Sequence, residues 1–423
     1  MPPAVTTTRR NITLGLLFLV AILSYVDRQI FTLFQDDIKK ELGLDDGQLG
    51  LLTGLSFAAF YALAAFPIAR YADRGDRRLV VSICLIVWST ATALCGLANS
   101  FWQMVLARVG LAAGEAGAGP ASLSLLTEIF PPKHRTLVIS SMLAASAIGI
   151  SGGLWLAGGL SQFFGWREVF LIVGLPGILI GLAVWLFSAE PRRGKGEVVI
   201  PPQQIGLGEM IRTMAGSVSL RWVGLVLMMV PVTGFAFIIW GASFFQRVHG
   251  MSKAETGFWL GTAMAVGLVI GNLVAGWVAD KWGKDNPRFN GWFAGLGLIA
   301  SYPLALLFIY APNPFVALVA FVGVKFMMTL HLGPIIALSF AQVPVAMRAM
   351  MSATINMFIG LAGTGVGGTL AGFLSKGFAP SYGGLSLRPA LAVLSCCLLV
   401  GGVAAIMAGR TAKPLNEAEA SQQ

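Results

Sequence analysis

Long apolar stretches separated by short polar connections make up most of the chain. A helix that crosses a bilayer needs about 20 mainly apolar residues. Twelve charge-poor stretches of this length are present: 12–34, 48–70, 79–97, 101–125, 136–161, 168–189, 219–246, 254–280, 289–310, 314–339, 348–375 and 388–409. The pattern predicts an all-α membrane protein with twelve transmembrane helices.

Composition supports this class. Of the 423 residues, 56% are apolar and 11% are charged, whereas a soluble domain carries about 25% charged residues. The net charge is +10, but the basic residues form short clusters between apolar stretches, which argues against nucleic-acid binding. All four cysteines lie inside apolar stretches without metal-ligand spacing, so we expect neither a disulfide framework nor a metal site.

Loop charge predicts the orientation, because an even number of spans places both termini on one side. If the N-terminus is cytoplasmic, 19 basic residues lie in inside loops and termini, seven in outside loops and three in the membrane, accounting for all 29. The positive-inside rule therefore predicts a multi-pass protein of the cell (inner) membrane with both termini cytoplasmic. We expect a retained first helix rather than a signal peptide, since no small-residue cleavage site follows it.

The second and eighth predicted spans end in similar sequences. Residues 69–74 read ARYADR and residues 276–281 read GWVADK, with their acidic residues 207 positions apart. Residues 130–135 match residues 343–348 at an offset of 213. Chance similarity of short basic loops is the alternative, but two similar offsets favour two six-helix halves related as a parallel repeat. The predicted domains are a first half at 1–189, a cytoplasmic linker at 190–218, a second half at 219–410 and a cytoplasmic tail at 411–423.

The loop at residues 73–78, DRGDRR, resembles the loop motif of the major facilitator superfamily, although Ala69 and Asp76 stand where that motif has glycine. Residues 24–29, 107–117 and 165–167 are similar to the Spinster family of that superfamily. The resemblance implies a major facilitator fold and a secondary transporter with alternating access. It also implies a lipid-like substrate, of lysophospholipid or sphingoid type, moved with proton coupling and without a cofactor.

Other functions remain open at this stage. An exporter of small organic anions or drugs is the alternative within transport. An intramembrane enzyme would need a nucleophile–base pair or a metal cluster, and the sequence has neither, so no enzymatic activity is expected. A channel fits poorly with two repeated halves and paired buried charges. We expect a monomer surrounded by membrane lipids.

Charged residues inside predicted spans are costly and are candidates for function. Five stand out, namely Asp27, Arg28, Arg108, Glu115 and Lys325. Arg108 and Glu115 are seven residues apart, which places them on one helical face but about 10.5 Å apart along the axis. Each therefore needs a partner on another helix, and we expect Asp27 to face Arg108 and Arg28 to face Glu115, although spacing does not fix this pairing.

A buried carboxylate gains or loses a proton when its contact with an arginine changes. This chemistry predicts proton coupling by the four charges of the first and fourth spans, and the alternative is a static ion pair that holds the helices together. The Spinster resemblance implies that Asp27, Arg28, Arg108 and Glu115 match the charged cavity residues of that family.

Further candidates for substrate contact are Lys325, His331, Phe235, Trp240 and Tyr25. For Lys325 the alternative is a side chain that extends to the interface, and His331 has the alternative of binding a carbonyl group left free by a nearby proline. The aromatic residues have packing as their alternative.

Six loop residues are candidates for gating: Asp73, Arg74, Arg77, Arg78, Asp280 and Lys281. Asp73 and Asp280 are each expected at the start of the next helix, where the helix dipole favours a carboxylate.

Overall fold

A computed structural model describes residues 6–191, 206–283 and 286–412, without the side chains of Phe66, Ala69, Asp73 and Arg74. Within these residues every predicted span is helical and no strand occurs. The α-helices of the first half are α1 (Thr7–Leu42), α2 (Asp46–Thr53), α3 (Leu55–Arg74), α4 (Arg77–Gly96), α5 (Phe101–Ile129), α6 (Arg135–Leu160) and α7 (Trp166–Phe187).

The remaining helices follow in the same order. They are α8 (Leu207–Gly216), α9 (Val218–His249), α10 (Lys253–Val278), α11 (Pro287–Tyr310), α12 (Pro314–Thr329), α13 (Leu332–Phe340), α14 (Arg348–Phe358), α15 (Gly368–Tyr382) and α16 (Leu387–Thr411). Two π-helical segments, Ala279–Gly283 and Ile359–Gly367, continue α10 and join α14 to α15. Short 3₁₀ turns lie at Pro132–His134, Val345–Met347 and Gly383–Leu385.

Eleven helices within the described residues are long and apolar enough to cross a membrane. The helix α5 is 29 residues long but is not among the eleven, because Arg108 and Glu115 lie in its middle. The first helix, α1, has 36 residues, and at 1.5 Å per residue it is about 54 Å long. Its ends therefore extend beyond a hydrocarbon core of about 30 Å.

The chain forms two compact units. One unit comprises Met1–Val199 with Met251–Gly261, and the other comprises Ile200–Gly250 with Thr262–Gln423. Residues 192–205 of the predicted linker lie outside the described residues, and so does the tail after 412. The amphipathic helix α8 falls inside the predicted linker segment and buries Met210 and Met214.

Glycines allow the helices to approach one another closely. A Cβ at Gly114 of α5 would lie 2.7 Å from the backbone nitrogen of Trp88 in α4. In α6 a Cβ at Gly149 would lie 2.6 Å from the Ile22 carbonyl oxygen. Gly149 therefore allows α6 to pack closely against α1.

Three predicted spans are interrupted. Gly54 separates α2 from α3 with φ −107° and ψ −101°, and Leu330-His331 separates α12 from α13. Pro334 lies in the first turn of α13, where its missing N–H costs little. The interruption in the eleventh span is the π-helix Ile359–Gly367.

The predicted position of the two loop carboxylates is wrong. Asp73 lies in the last turn of α3 and Asp280 lies in the π-helix that continues α10, so both are at the ends of helices rather than at the starts of the next ones. The helix after the first loop is instead capped by Asp76, whose Oδ1 accepts a 3.0 Å hydrogen bond from the Leu79 N–H. Asp73 and Asp280 therefore lie where the helix dipole disfavours a carboxylate.

Candidate functional site

The central feature of the first unit is a buried ion pair between α1 and α5. Arg28 Nε donates to Glu115 Oε2 over 2.9 Å, and Arg28 Nη2 binds the same oxygen. The side chain of Glu115 is 1% exposed and that of Arg28 is 27% exposed. The arginine also lies over the Phe57 ring, 4.6 Å from its centre. The predicted pairing of Arg28 with Glu115 is therefore present.

Arg108 lies in α5 two turns before Glu115 and has different partners. Its Nε donates to the Leu52 carbonyl oxygen over 3.3 Å, and its guanidinium lies 4.6 Å from the centre of the Phe31 ring and 5.4 Å from that of Phe57. Its Nη1 is buried without a hydrogen-bond partner. The Leu52 carbonyl can accept this bond because the helix stops just after it, at Gly54.

The expected ion pair between Asp27 and Arg108 is not formed. Asp27 is buried and lies against Thr92 of α4, with Arg108, Arg28 and Glu115 near enough to influence its charge. The Leu52 carbonyl and two aromatic rings hold the Arg108 guanidinium instead, so the carboxylate and this arginine remain separate. Sequence spacing contained no signal for that arrangement.

Two polar atoms in this cluster have no hydrogen-bond partner among the described residues. They are Arg108 Nη1 and Glu115 Oε1, one donor and one acceptor, and both are buried. Buried polar groups in proteins are nearly always hydrogen-bonded, so each exception calls for a water, an ion or a ligand. The cluster can therefore bind a further polar or charged group.

Tyr25 extends the same cluster along α1. The centre of its ring is 5.5 Å from the Arg28 guanidinium, and the centre of the Tyr61 ring, in α3, is 5.9 Å from the same guanidinium. Tyr25 thus lies beside the ion pair, as a residue near a binding site must, and its contact with substrate stays a prediction.

The second unit contains a buried lysine. Lys325 of α12 is 4% exposed, and its Nζ donates to the Gly234 carbonyl oxygen of α9 over 3.0 Å. The rings of Phe321 and Phe237 lie 5.3 and 5.9 Å from the ammonium nitrogen. Among the described residues no carboxylate pairs with it, and its ammonium group, which has three N–H donors, has one acceptor.

Other candidates of the second unit are engaged in packing. The indole N–H of Trp240 donates to the Gly368 carbonyl oxygen over 2.9 Å, and Trp240 is fully buried. Phe235 packs against Gly363, where a Cβ would approach its ring to 2.4 Å. The Nδ1 atom of His331 contacts the Met328 carbonyl oxygen, whereas Pro334 leaves the carbonyl of Leu330 without its helical donor, so the carbonyl differs from the one in the alternative interpretation.

A second charged cluster surrounds Arg77 at the start of α4. The guanidinium is almost fully buried and contacts Glu128 Oε2 at 2.5 Å, Glu190 Oε1 at 2.9 Å and Ser124 Oγ at 3.1 Å. Burial raises the pKa of Glu190, and the Arg77 charge opposes that rise. Arg78 pairs with Asp76 at 2.9 Å. Arg77 thus joins α4 to α5 and to the segment after α7.

The remaining gating candidates have fewer described contacts than Arg77 and Arg78. The side chains of Asp73 and Arg74 lie outside the described part of the structure. Lys281 lies over the Trp277 and Trp282 rings, at 5.0 and 4.9 Å from their centres. Asp280 borders a cavity of the second unit.

Sequence reasoning missed several contributors to both clusters. Leu52 and Gly54 matter through the backbone alone, which no side-chain pattern indicates. Glu128 and Glu190 lie at the ends of predicted spans, and their charge was the only available signal. Thr92 lies within a span that contains no charge after its first turn.

The family follows from a direct comparison. Residues 17–368 match the family model of the Major Facilitator Superfamily. The chain belongs to this superfamily. Its structure superposes on the crystal structure of a bacterial homologue of the human lysosomal transporter Spinster with a TM-score of 0.87, at 28% identity over 96% of this chain and 98% of that one. The predicted Spinster-like major facilitator fold is thus confirmed.

Sequence relatives are transporters rather than enzymes. An MFS-type efflux pump of Mycolicibacterium smegmatis is 30% identical over 92% of this chain and 90% of that protein. A probable L-galactonate transporter of Escherichia coli is 25% identical over 95% of this chain and 89% of that protein. The sphingosine-1-phosphate transporter SPNS2 of Danio rerio is 27% identical over 43% of this chain and 37% of that protein. The chain is a multi-pass membrane transporter.

Proposed function

We propose that this transporter is secondary active, works by alternating access and couples substrate movement to protons. The observation that carries this proposal is the buried Arg28–Glu115 ion pair, flanked by an unpartnered Arg108 Nη1 and an unpartnered Glu115 Oε1. We further propose that it acts as a monomer in the cell membrane with both termini cytoplasmic, in accordance with the distribution of basic residues.

Coupling in this proposal depends on a change of partner at Glu115. A buried carboxylate that loses its cationic partner takes up a proton more readily, because the ionised form then has no compensation for lost hydration. A substrate group that draws Arg28 away thus favours protonation of Glu115. Asp27, buried nearby, is the second carboxylate able to take part.

The substrate in this proposal is a lipid-like amphiphile with an anionic or zwitterionic head, of lysophospholipid or sphingoid type. The charges buried in the spans comprise three cations, Arg28, Arg108 and Lys325, against two carboxylates, Asp27 and Glu115. Lys325 of the second unit has no carboxylate partner among the described residues and therefore favours an anionic head. The similarity to a sphingosine-1-phosphate transporter is in accordance with such a substrate.

A small organic anion is the alternative substrate, and one observation favours it. The chain aligns with a probable L-galactonate transporter over nearly its whole length, and galactonate is a polar carboxylate. Guanidinium groups bind carboxylates with two parallel hydrogen bonds, so Arg28 and Arg108 suit such a substrate as well. The same residues also suit export of an acidic drug.

Gating in this proposal involves Asp73, Arg74, Arg77, Arg78, Asp280 and Lys281. The contacts of Arg77 with Glu128 and Glu190 tie three segments of the first unit together, and a conformational change has to preserve or break them. Cysteine-accessibility labelling of Arg77→Ala and parent protein tests the role. Identical labelling of both in every state would contradict it.

Transport into proteoliposomes tests the substrate and the coupling together. A lysophospholipid, a sphingoid phosphate and galactonate are offered in turn, with and without an imposed pH gradient, and empty liposomes are the control. We expect one amphiphile to accumulate only with the gradient. Accumulation of galactonate alone would favour the alternative substrate, and accumulation without dependence on the gradient would refute coupling.

A further inference from the structure

A cavity of about 220 Å³ in the second unit is lined in part by the π-helix Ala279–Gly283. Asp280 and Asn290 contribute the polar part of its wall, and Ala337, Leu338 and Ala341 of the segment around α13 contribute the apolar part. At about 30 Å³ for each water of the liquid, the cavity has room for an ion and a few waters.

Asn290 lines this space and carries an acceptor without a hydrogen-bond partner among the described residues. Asn290 is 4% exposed, and its Nδ2 donates to the Gly283 carbonyl oxygen over 2.8 Å. That bond fixes which end of the amide is the oxygen, since a carbonyl needs a donor. Oδ1 is therefore the other atom, and it is buried without a hydrogen-bond partner. This oxygen and the carboxylate of the exposed Asp280 are therefore two oxygen ligands in the residues that line the cavity.

The corresponding place in the first unit holds a cation. With the repeat offset of 213, Ala337 and Ala341 correspond to Ser124 and Glu128, the two residues of α5 that bind the guanidinium of Arg77. The second unit thus keeps the space but has lost both side chains that line it in the first. Two alanines in place of a serine and a glutamate account for the cavity.

We propose that this cavity is a binding site for a monovalent cation, with sodium as the expected ion, held by Asp280 and Asn290 Oδ1. Carboxylate, amide and water oxygens are the ligands that hard cations prefer. A single carboxylate suits a single positive charge, and the described residues contain no group of three or more His, Cys, Asp or Glu for a metal ion of higher charge. The ion takes the place that Arg77 has in the first unit and ties α10 to α11 and α13. This inference is independent of the proposed transport function.

Thermal unfolding of the purified full-length protein in detergent tests the site without any transport. Sodium chloride replaces choline chloride at constant total salt, and potassium chloride is a second series. We expect the unfolding midpoint to rise with sodium in a saturable way, because a ligand that binds only the folded state stabilises it. An identical midpoint in sodium and choline would overturn the proposal.

Variants locate the effect. Asp280→Asn should raise the half-saturating sodium concentration about tenfold, which corresponds to a loss of about 1.4 kcal/mol of binding free energy. Ala341→Glu should lower this concentration, because it restores the carboxylate found at Glu128. Glu209→Gln, which removes an exposed acid of α8 in the same unit, is the matched control and should behave like the parent. A half-saturating sodium concentration in Asp280→Asn that equals that of the parent refutes the site.

One internal competitor has to be separated from the ion. By the offset of 207, Lys284 corresponds to Arg77, and it lies outside the described residues. If the Lys284 ammonium is the cation of this cavity, the parent is insensitive to sodium and Lys284→Ala becomes sensitive. That result would overturn the proposal for the native chain, whereas a sodium response of equal or greater size in parent and variant supports it.

Discussion

Arg28 of α1 and Glu115 of α5 form an ion pair in which the carboxylate is almost completely buried and the arginine is partly accessible. Arg28 Nε lies 2.9 Å from Glu115 Oε2, and aromatic rings of Phe57, Tyr25 and Tyr61 surround the guanidinium. Because Oε1 of the same carboxylate has no partner, Arg28 compensates only part of the charge. The ionised form of Glu115 thus depends on Arg28 for its stabilisation.

Replacement of Glu115 by glutamine should abolish pH-dependent transport and leave the protein folded. Glutamine keeps the shape and an acceptor for Arg28 but cannot bind or release a proton. We expect the pH gradient to have no effect on substrate accumulation by Glu115→Gln, while the elution profile of the purified protein stays that of the parent. Glu209→Gln is the control for removal of a carboxylate elsewhere. Gradient-driven accumulation at the parent rate would exclude Glu115 as the coupling group.

Replacement of Gly114 by alanine should destabilise the first unit. The new methyl group would lie 2.7 Å from the Trp88 nitrogen and 2.9 Å from the Cys84 carbonyl oxygen, and backbone cannot move aside as a flexible side chain does. Overpacking of this kind costs about 1–3 kcal/mol. Gly119→Ala in the same helix is the matched control, since no atom lies within 4 Å of its Cβ position. Equal thermal midpoints for both variants would contradict the prediction.

The positions of the helices could be predicted from the sequence, because each span has to bury a long apolar stretch in the bilayer. The twelve predicted spans correspond to helical segments whose boundaries are shifted by up to eight residues. Helix interruptions were not predictable in the same way. The break at Gly54 and the π-helix Ile359–Gly367 depend on tertiary contacts. Glycine is also frequent in membrane helices that are not interrupted, so a glycine within an apolar span does not indicate a break.

The charges of the site could be identified from the sequence, but only one of their two pairings could. Helical spacing excluded a direct bond between Arg108 and Glu115, which leaves partners on other helices. The choice between them depends on rotamers and on the Leu52 carbonyl, neither of which has a signature in the sequence. The same limit explains Trp240, whose aromatic character is equally suited to packing and to a substrate.

Replacement of Arg167 by lysine should destabilise the first unit, because this arginine holds the end of α4. Its Nη1 donates to the Gly96 and Ala98 carbonyl oxygens over 2.9 and 2.8 Å, and its Nε donates to Glu41 Oε1 over 2.9 Å. A lysine ammonium cannot reach these acceptors in the same geometry. With some discount for partial exposure, we expect a loss of about 1–2 kcal/mol. Arg212→Lys, at an exposed position of α8, should leave the thermal midpoint unchanged, and an equal change in both would refute the capping role.

The contribution of Glu190 to stability should depend on pH. Its folded-state pKa is raised above the ordinary value of 4.5 by burial, so the folded protein binds a proton more readily than the unfolded chain does. This group therefore stabilises the fold most fully below the unfolded pKa, and the contribution is lost as the pH rises through the folded pKa. The thermal midpoint of the parent minus that of Glu190→Gln should increase as the pH falls from neutral to about 4.5. A difference that decreases on acidification would mean that the Arg77 ion pair outweighs burial.

Lys325 allows a test of the substrate class. Its ammonium has one carbonyl acceptor and two aromatic neighbours but no carboxylate partner among the described residues. An anionic head group that reaches it gains an interaction that a neutral head of the same size does not, and in a site poor in water the gain is large compared with a surface ion pair.

Lys325→Ala should therefore weaken binding of an acidic-headed lipid more than binding of a neutral analogue with the same acyl chain. Lys325→Arg keeps the charge and is the matched control, and it should retain the preference for the acidic lipid. Binding of both lipids to the purified protein in detergent gives the two dissociation constants for each variant. If Lys325 only packs between Phe237 and Phe321, its removal lowers affinity for both lipids by the same small factor. Equal losses would thus exclude a role of this lysine in recognising the head group.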